Sequence, residues 1–391
     1  MELLVDRPRT GITSQVYKKI EEISPDVWKS VFPETLESYE FFKSLDESGF
    51  EQFSFRYLLV YDGESVVGAA SFFLMHYPLE TTVQGPLRSV MFGIKRLFPG
   101  LFDLKAVIAG LPMDQGRLGI KSDDPQAVIR EIIACLERCA AENKANILAF
   151  KDFGAEYTEL LRPLLETGFC KVQNLPSTAM DLNFGSFEDY MKTLSKASRD
   201  GLKRKLKKLS AGTQFDLEIT HRLTPQALDE VYALYLQTEA HGDTQFETVP
   251  KLFFERVAVN MPEETYFFLW RKEGKMVAFA YCLAADGHFL DFYLGFDYAI
   301  AFDYHLYFVR FRDLMHWCIQ NKMKKYEMGA TGYEAKRRLG FKMVPIFIYA
   351  KCRTAWLNPA FKVLCRTVQP ENFHQVFKEM KKGEEPCPKK V

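Results

Sequence analysis

The chain repeats one order of predicted elements once along its length. In the first copy, apolar residues on both sides of a turn at Gly63 predict an antiparallel hairpin over 57–73. In the second copy, the same unit lies at 266–283, with its turn at Gly274. A repeat of about 200 residues is typical of a duplicated domain and is too long for a solenoid unit. The chain is therefore predicted to hold two similar domains.

The match continues downstream of each hairpin. Apolar residues at helical spacing predict a long helix over 125–143 and over 304–321, and each helix leads into a short strand. A short helix that ends in Gly-Phe follows in both copies, and a last strand comes after it at 178–182 and 345–350. We therefore predict an α/β (α+β) protein with two tandem domains, each a mixed central sheet flanked by helices. The predicted parts are 1–180, 181–370 and a disordered tail at 371–391.

The composition narrows the class of protein. With 391 residues, the chain exceeds one ordinary hydrophobic core. Its 51 basic and 51 acidic residues cancel, which argues against a globally basic nucleic-acid binder. The eight cysteines form no C-x-x-C pair, so we expect a reducing, cytoplasmic compartment and no metal site. No apolar stretch reaches the roughly 20 residues that span a bilayer, and the N-terminus has no signal pattern, so no membrane span is expected.

The second copy closes with the sequence Thr331-Gly-Tyr-Glu-Ala-Lys-Arg-Arg-Leu-Gly-Phe341. Together with the repeated order of elements, it resembles the FemAB-like, BioF2-like branch of the GNAT acyltransferases, which uses two such domains in tandem. The resemblance implies an N-acyltransferase that moves an acyl or aminoacyl group to a small-molecule amine. The donor would be a thioester, such as acyl-CoA or acetyl-CoA, or an aminoacyl donor. The alternative is a non-catalytic protein that keeps the GNAT cleft to bind a ligand.

The resemblance also implies a donor site. In GNAT enzymes the acyl-CoA lies where two central strands splay apart, and its pyrophosphate rests on backbone amides at the start of the long helix. Here the preceding loop carries Asp297 and Asp303, whose carboxylates would repel a pyrophosphate. The donor therefore stays open between acyl-CoA and another phosphate-containing molecule, with tRNA a less favoured choice. The predicted donor contacts are Leu290, Leu294, Gly295, Tyr304 and His305.

Candidate catalytic residues lie in the second copy. Many GNAT enzymes place a tyrosine general acid four residues before the closing Gly-Phe, where this chain has Leu164 in the first copy and Lys336 in the second. Leucine cannot transfer a proton, so the first domain is predicted to be non-catalytic. Lysine can, because its pKa falls readily on burial. The alternative for Lys336 is a solvated residue beside Arg337 and Arg338.

An amine nucleophile also needs a base. Asp291 and Tyr293 would share one face of a regular strand and so flank the cleft. Glu327 lies in an apolar run, where a carboxylate is costly to bury unless it is paired or faces a cleft. We expect Glu327 or Asp291 to accept the proton, and an edge position open to water is the alternative for Glu327.

Two polar segments are candidates for binding substrate. A polar turn after a predicted helix over 226–235 carries Glu239 and His241, which together with Tyr333 would hold a polar acceptor, unless the turn is a plain solvated helix end. A second predicted helix, over 196–208, has seven basic residues. A spacing of four puts three of them on one face, which predicts polyanion binding unless this is only a solvated lysine face. These three are Arg199, Lys203 and Lys207.

Overall fold

The computed structural model describes residues 11–33, 36–78, 103–210, 215–242 and 246–367, so the predicted tail at 371–391 lies outside the described residues. The chain divides into two compact units. Of the described residues, unit 1 takes 11–33, 50–78, 103–174 and 346–367. Unit 2 takes 36–49, 175–210, 215–242 and 246–345.

Unit 1 is built on one mixed sheet with helices around it. Its strands are β1 (Ile12–Tyr17), β2 (Ser54–Asp62), β3 (Ser65–Pro78), β4 (Asp103–Ala109), β5 (Leu118–Ile120), β6 (Ile147–Gly154), β7 (Cys170–Gln173) and β15 (Ile346–Cys352). Its α-helices are α1 (Pro25–Lys29), α3 (Pro125–Glu142), α4 (Arg162–Glu166) and α11 (Asn358–Thr367). The long helix α3 begins where the Asp124 side chain caps the Ala127 amide, and its apolar face joins the strands in one core.

Unit 2 has a second mixed sheet. Its strands are β8 (Ser177–Asp181), β9 (Asp216–Thr220), β10 (Thr265–Lys272), β11 (Lys275–Ala285), β12 (His288–Phe296), β13 (Lys325–Met328) and β14 (Lys342–Val344). Its helices are α2 (Tyr39–Glu47), α5 (Phe187–Thr193), α6 (Lys196–Ser210), α7 (Pro225–His241), α8 (Lys251–Asn260), α9 (Leu306–Gln320) and α10 (Tyr333–Arg338). Helices α5, α6 and α9 cover one face of this sheet, and α2, α7 and α8 cover the other.

The two sheets have equivalent strand orders. Unit 1 reads β1-β2-β3-β4-β6-β15-β7, with β5 pairing to β3, and unit 2 reads β9-β10-β11-β12-β13-β8-β14. Each sheet has one parallel pair at its centre, β4 with β6 and β12 with β13. The predicted hairpins become β2–β3 and β10–β11, which occupy the same position in the two sheets. The predicted duplication of a mixed α/β fold is therefore confirmed.

The last strand of each repeat lies in the sheet of the other unit. β15 follows β14 along the chain but pairs with β6 and β7 of unit 1. β8 follows β7 along the chain but pairs with β13 and β14 of unit 2. The prediction that each repeat keeps its own last strand is therefore wrong, and the observed units differ from a division at 180/181. Backbone hydrogen bonds between strands can form with any strand that has a suitable apolar pattern. The pattern of a segment therefore predicts that it is a strand but not which sheet it joins.

The repeated Gly-Phe ends a short helix in the same way in both units. Gly168 and Gly340 adopt left-handed backbone conformations, with φ of 95° and 86°. The next residue is a buried phenylalanine whose amide donates to a carbonyl five residues earlier, Phe169 to Leu164 and Phe341 to Lys336, at 3.1 Å in each case. Position 164 of unit 1 is therefore structurally equivalent to position 336 of unit 2.

One helix is longer than predicted. α7 continues to His241, and Gly242 ends it, so Glu239 and His241 lie in the last helical turn. The prediction of a polar turn at these residues is wrong. The pattern of apolar residues ends at residue 235, but the helical backbone continues to His241. Over the residues described, no helix is both long and apolar enough to cross a membrane.

Candidate functional site

A gap opens between the two central strands of unit 2. β12 pairs in parallel with β13 only over His288–Asp291, and β13 ends at Met328. Beyond Asp291, no strand of the described chain pairs with β12 on that side. We call the space beside residues 292–296 of β12 and residues 329–332 the β12–β13 gap. It is the position at which the sequence predicts a donor to bind.

A bulge in β12 decides which side chains face each side of the gap. Tyr281 of β11 lies opposite Tyr293 but the next residue, Cys282, lies opposite Asp291, so Phe292 is the extra residue. Asp291 points to the α9 face, whereas Tyr293 points to the α7–α8 face, where it contacts Tyr235. The prediction that Asp291 and Tyr293 share one face is therefore wrong, because one extra residue reverses the alternation of a strand.

Asp291 forms a fully buried ion pair on the α9 face. Its Oδ2 accepts hydrogen bonds from Nη1 and Nη2 of Arg310 at 2.8 and 2.5 Å, and from the Tyr326 hydroxyl at 2.9 Å. Such a pair needs several hydrogen bonds to offset the loss of water around both charges. Asp291 is therefore anchored by its partners, which leaves it poorly placed to accept a proton from an amine.

Lys336 lies at the edge of the gap with its side chain inside the protein. Only 6% of the residue is exposed, and its ammonium donates to the carbonyls of Gly329 at 2.5 Å and Ala330 at 3.4 Å. Burial lowers the pKa of Lys336 to about 8; Asp291 opposes this shift and Arg310 adds to it. Lys336 is therefore buried and is not the solvated residue that the sequence left as an alternative. The equivalent Leu164 is fully buried in the core of unit 1.

Glu327 lies on β13 with three polar partners. Its carboxylate binds Nε2 of His288 at 3.0 Å, Nζ of Lys325 at 2.6 Å and the Ser177 hydroxyl at 3.1 Å. Burial alone would raise the pKa of Glu327, but the hydrogen bonds from His288 and Lys325 outweigh it and lower the pKa to about 2. A carboxylate with such a low pKa is a weak base at neutral pH, so the structure favours a stabilising role for Glu327.

We expect Glu327→Gln to reduce stability more than turnover. The folded-state pKa lies below the ordinary value of 4.5, so the contribution of Glu327 to stability is present above pH 4.5 and is lost as pH falls through 2. The shift corresponds to about 3 kcal/mol. Urea unfolding of the wild type and Glu327→Gln should therefore differ by a few kcal/mol at pH 7 and converge towards pH 2.

Glu334→Gln is the control, because Glu334 forms only surface ion pairs with Arg337 and Arg338. Its removal should cost less than about 1 kcal/mol. If Glu327→Gln kept its stability and lost turnover, Glu327 would be the base that the sequence predicts.

The α7–α8 face of the gap carries a second group of polar residues. The Tyr293 hydroxyl donates to Oε1 of Glu247 at 3.4 Å, and the Tyr293 ring packs edge-on against Tyr235 at 5.7 Å. The Tyr235 hydroxyl accepts a hydrogen bond from the Val249 amide at 3.0 Å. Burial raises the pKa of Glu239, and Tyr235 only partly offsets this shift. Sequence reasoning missed Tyr235 and Glu247, because no local pattern brings α7 and the segment before α8 to β12.

His241 and Tyr333 have different surroundings. The His241 ring stacks on Tyr298 at 3.7 Å between centroids on an exposed part of α7, and its Nδ1 lies 2.8 Å from the Gln237 carbonyl. Tyr333 is buried at the start of α10, where its hydroxyl donates to the Pro176 carbonyl at 2.9 Å. Tyr333 therefore borders the gap, whereas His241 lies at the end of its helix.

The predicted donor contacts include packing residues. Leu290 is buried and Leu294 half-buried in β12. Gly295 packs directly on α7, since a Cβ there would lie 2.3 Å from the Phe279 ring and 2.7 Å from the Leu234 backbone. His305 takes a left-handed conformation (φ 48°) just before α9, next to Tyr304 in the preceding turn.

The start of α9 offers few backbone amides to an anion. The preceding turn already bonds them: Tyr304 to Ile300 at 3.1 Å, His305 to Phe302 at 3.2 Å and Leu306 to Ala301 at 3.0 Å. Asp297 also turns inward, where it binds Lys275 at 2.7 Å. These residues therefore do not fit the amide cradle that holds the pyrophosphate of CoA in GNAT enzymes.

An open cavity of about 420 Å³ lies between the starts of α9 and α10. Lys205 of α6 turns into it and places its ammonium 3.5 Å from the centroid of the Phe308 ring. Arg338 of α10 contributes a second cation. The predicted anion-binding residues Lys203 and Lys207 are exposed on α6, and Arg199 is half-exposed. The cavity is lined by Lys205, Phe308, Gly332, Tyr333, Glu334, Ala335 and Arg338.

No group of three His, Cys, Asp or Glu side chains among the described residues is arranged to hold a metal ion. Two groups of ionisable side chains flank the gap, one on each face. The Arg310, Asp291 and Lys336 charges lie on the α9 side, and the Tyr293, Glu239 and Glu247 group lies on the other.

Comparison with known proteins agrees with this fold. The family model FemAB-like, described as peptidoglycan biosynthesis/recognition, matches residues 104–388. No curated protein sequence matches the chain. Among solved structures, FemX superposes with a TM-score of 0.56 at 11% identity, over 90% of this chain and 100% of FemX.

Two further structures show the same fold. The C-terminal domain of a putative lysylphosphatidylglycerol synthetase from Agrobacterium fabrum gives a TM-score of 0.51 at 14% identity, over 89% of this chain and 95% of that chain. A tandem GNAT protein from the clavulanic acid biosynthesis pathway gives 0.50 at 8% identity, over 87% and 98%. The tandem GNAT-like architecture that the sequence predicts is therefore confirmed.

Proposed function

Because this chain belongs to the FemAB-like family, we propose that it is an aminoacyl- or acyltransferase that acts at the β12–β13 gap of unit 2. One observation carries the proposal: the Lys336 ammonium is buried at the edge of this gap, and its pKa of about 8 lets it give up a proton near neutral pH. The family and the fold agree with the predicted N-acyltransferase type of enzyme. Unit 1, with Leu164 at the equivalent position, is proposed to be non-catalytic.

We propose an aminoacyl ester on RNA as the donor, in preference to acyl-CoA. Two features support this choice. The amides that would receive the CoA pyrophosphate are bonded within the turn before α9. Lys205 and Arg338 instead place two cationic side chains in the cavity, beside Glu334, which pairs with Arg338. Arg199, Lys203 and Lys207 add exposed or half-exposed charge along α6, and such a basic surface suits a polynucleotide backbone.

The acceptor amine is proposed to enter from the α7–α8 face. Glu239 and Glu247 would attract its ammonium, and Glu239, whose pKa is raised by burial, would take its proton. The neutral amine nitrogen then attacks the acyl carbonyl carbon, a C–N bond forms, the ester C–O bond breaks, and the second proton that the nitrogen loses passes to solvent. Lys336 gives a proton to the leaving oxygen. The family description suggests peptidoglycan-type peptides as the source of this amine.

The test compares the two donors on the full chain. Bulk tRNA charged with labelled amino acids and labelled acetyl-CoA are each incubated with amine acceptors, including free lysine and a muramyl pentapeptide. We expect label to pass from aminoacyl-tRNA to an acceptor. Transfer from acetyl-CoA alone would overturn the choice of donor, and transfer from neither would favour the non-catalytic alternative.

Binding of uncharged tRNA tests the basic helix separately. The triple variant Arg199→Gln, Lys203→Gln, Lys207→Gln should weaken binding about ten-fold at moderate salt. It should also reduce the slope of log affinity against log salt by roughly 2 to 3, because up to three phosphate contacts are lost. The control is the triple variant Lys18→Gln, Lys19→Gln, Arg130→Gln, which removes exposed cations from unit 1. Equal salt slopes for both triple variants would exclude α6 as the binding surface.

A further inference from the structure

A buried hydroxyl lies beside the gap without a hydrogen-bond partner. Tyr307 is in the first turn of α9, and its hydroxyl oxygen is buried with no partner among the described protein atoms. Leaving a buried hydroxyl unpaired costs free energy unless a ligand supplies the partner. No packing requirement explains it, since phenylalanine would fill the same space.

The Tyr307 side chain lies near the end of β12 that borders the gap. Its ring lies 6.5 Å from the ring of Phe296, at the end of β12, and 5.9 Å from the guanidinium carbon of Arg310. Arg310 and Asp291 act electrostatically on Tyr307, and the same two groups act on Lys336. Tyr307 and Lys336 therefore both lie within electrostatic range of one buried ion pair, on the α9 face of the sheet.

Arg310 also has an unused donor here. Its two Nη atoms bind Asp291, but its Nε is buried without a partner among the described atoms. The α9 face thus holds two hydrogen-bond donors without a partner among the described protein atoms. A site that keeps donors unpaired is suited to a ligand atom that accepts hydrogen bonds and gains negative charge.

We infer that Tyr307 is a catalytic residue whose hydroxyl donates a hydrogen bond to the carbonyl oxygen of the donor's acyl group. This inference rests on the proposed transferase function and adds a residue to it. When the amine attacks, the carbonyl π electrons move to this oxygen, which becomes negative in the tetrahedral intermediate. Tyr307 stabilises that oxygen without giving up its proton, while Lys336 protonates the leaving oxygen. Burial raises the pKa of Tyr307 to about 12, with Asp291 also raising it and Arg310 lowering it, so the hydroxyl stays protonated.

Tyr307→Phe separates this role from a structural one. Because the hydroxyl has no protein partner, its removal should leave the midpoint of urea unfolding unchanged or raise it. With aminoacyl-tRNA and an amine acceptor, kcat should fall at least ten-fold while KM for the aminoacyl-tRNA changes less than three-fold, as for other donors to a developing oxyanion.

Tyr349→Phe is the matched control. Tyr349 is also buried with an unpartnered hydroxyl, but it lies on β15 in unit 1, which is proposed to be non-catalytic. This variant should keep both stability and kcat.

The outcomes separate the role of Tyr307 from the proposed transferase function. If the wild type transfers label and Tyr307→Phe keeps full kcat, the role of Tyr307 is overturned and the transferase proposal stands. If Tyr307→Phe loses stability together with activity, the hydroxyl is structural and the inference is again overturned. If the wild type transfers label from neither donor, the transferase proposal fails and this assignment fails with it.

Discussion

Lys336→Met is expected to lower kcat by about 10²–10⁴-fold while leaving KM for the donor within a few-fold of the wild type. Methionine has a similar length and shape but cannot protonate the leaving group, and general acid help is typically of this size. The pH profile gives the second readout. Wild-type activity should fall as pH rises through about 8, where Lys336 loses its proton, and the variant should lack this step.

Two further variants make this result specific. Lys336→Arg keeps the positive charge but not a proton that can leave near neutral pH, so it should not restore activity. Lys342→Met removes an exposed lysine that pairs with Asp181, and should behave as the wild type. Full activity of Lys336→Met, or rescue by arginine, would show that Lys336 is not the proton donor.

The pH dependence of the free energy of unfolding should also reveal that the Lys336 ammonium is buried. The pKa of Lys336 is lower in the folded chain than its ordinary value of 10.5, so the unfolded chain binds the extra proton between pH 8 and 10.5. The free energy of unfolding of the wild type should therefore rise by up to about 3 kcal/mol over this interval relative to Lys336→Met. Parallel curves for the two proteins would contradict the buried state of this ammonium.

A fragment of residues 1–180 is expected not to fold. Its sheet would lack β15, the only strand of the described chain that pairs with β7 and the outer antiparallel partner of β6. The buried side chains of Ile346 and Tyr349 would also be missing from its core. We expect the fragment to show no cooperative urea transition and little protection of its amides from hydrogen exchange.

A fusion that supplies the missing strand β15 should fold. The Asn174 amide donates to the Ile346 carbonyl at 3.0 Å, so the end of β7 and the start of β15 are adjacent. Joining 1–174 to 346–369 through a short Gly/Ser turn would make β7 and β15 a hairpin within one chain. This fusion should unfold cooperatively. A cooperative transition of the 1–180 fragment itself would show that the unit does not depend on the exchanged strand.

The sequence alone determined the elements and their duplication. Hairpins, long helices and the Gly-Phe helix ends follow from residue spacing within about 20 positions, because alternation, helical periodicity and left-handed glycine are local properties. The position of Lys336 before one of these glycines also followed from the sequence, and its catalytic role stays a prediction. The side chain of Lys336 could be solvated or buried on the same pattern, and only packing around α10 decided between the two.

Only the tertiary structure decided which residues meet. The sheet to which β8 and β15 belong depends on backbone ladders between segments far apart in the chain. The opposite orientations of Asp291 and Tyr293 depend on one bulged residue, Phe292, which leaves no mark in the pattern of β12. The grouping of Glu239, Glu247 and Tyr293, and the unpaired hydroxyl of Tyr307, arise only when α7 and α9 cover opposite faces of one sheet. Local spacing carries no record of such distant contacts, because any strand or helix of suitable polarity could have made them.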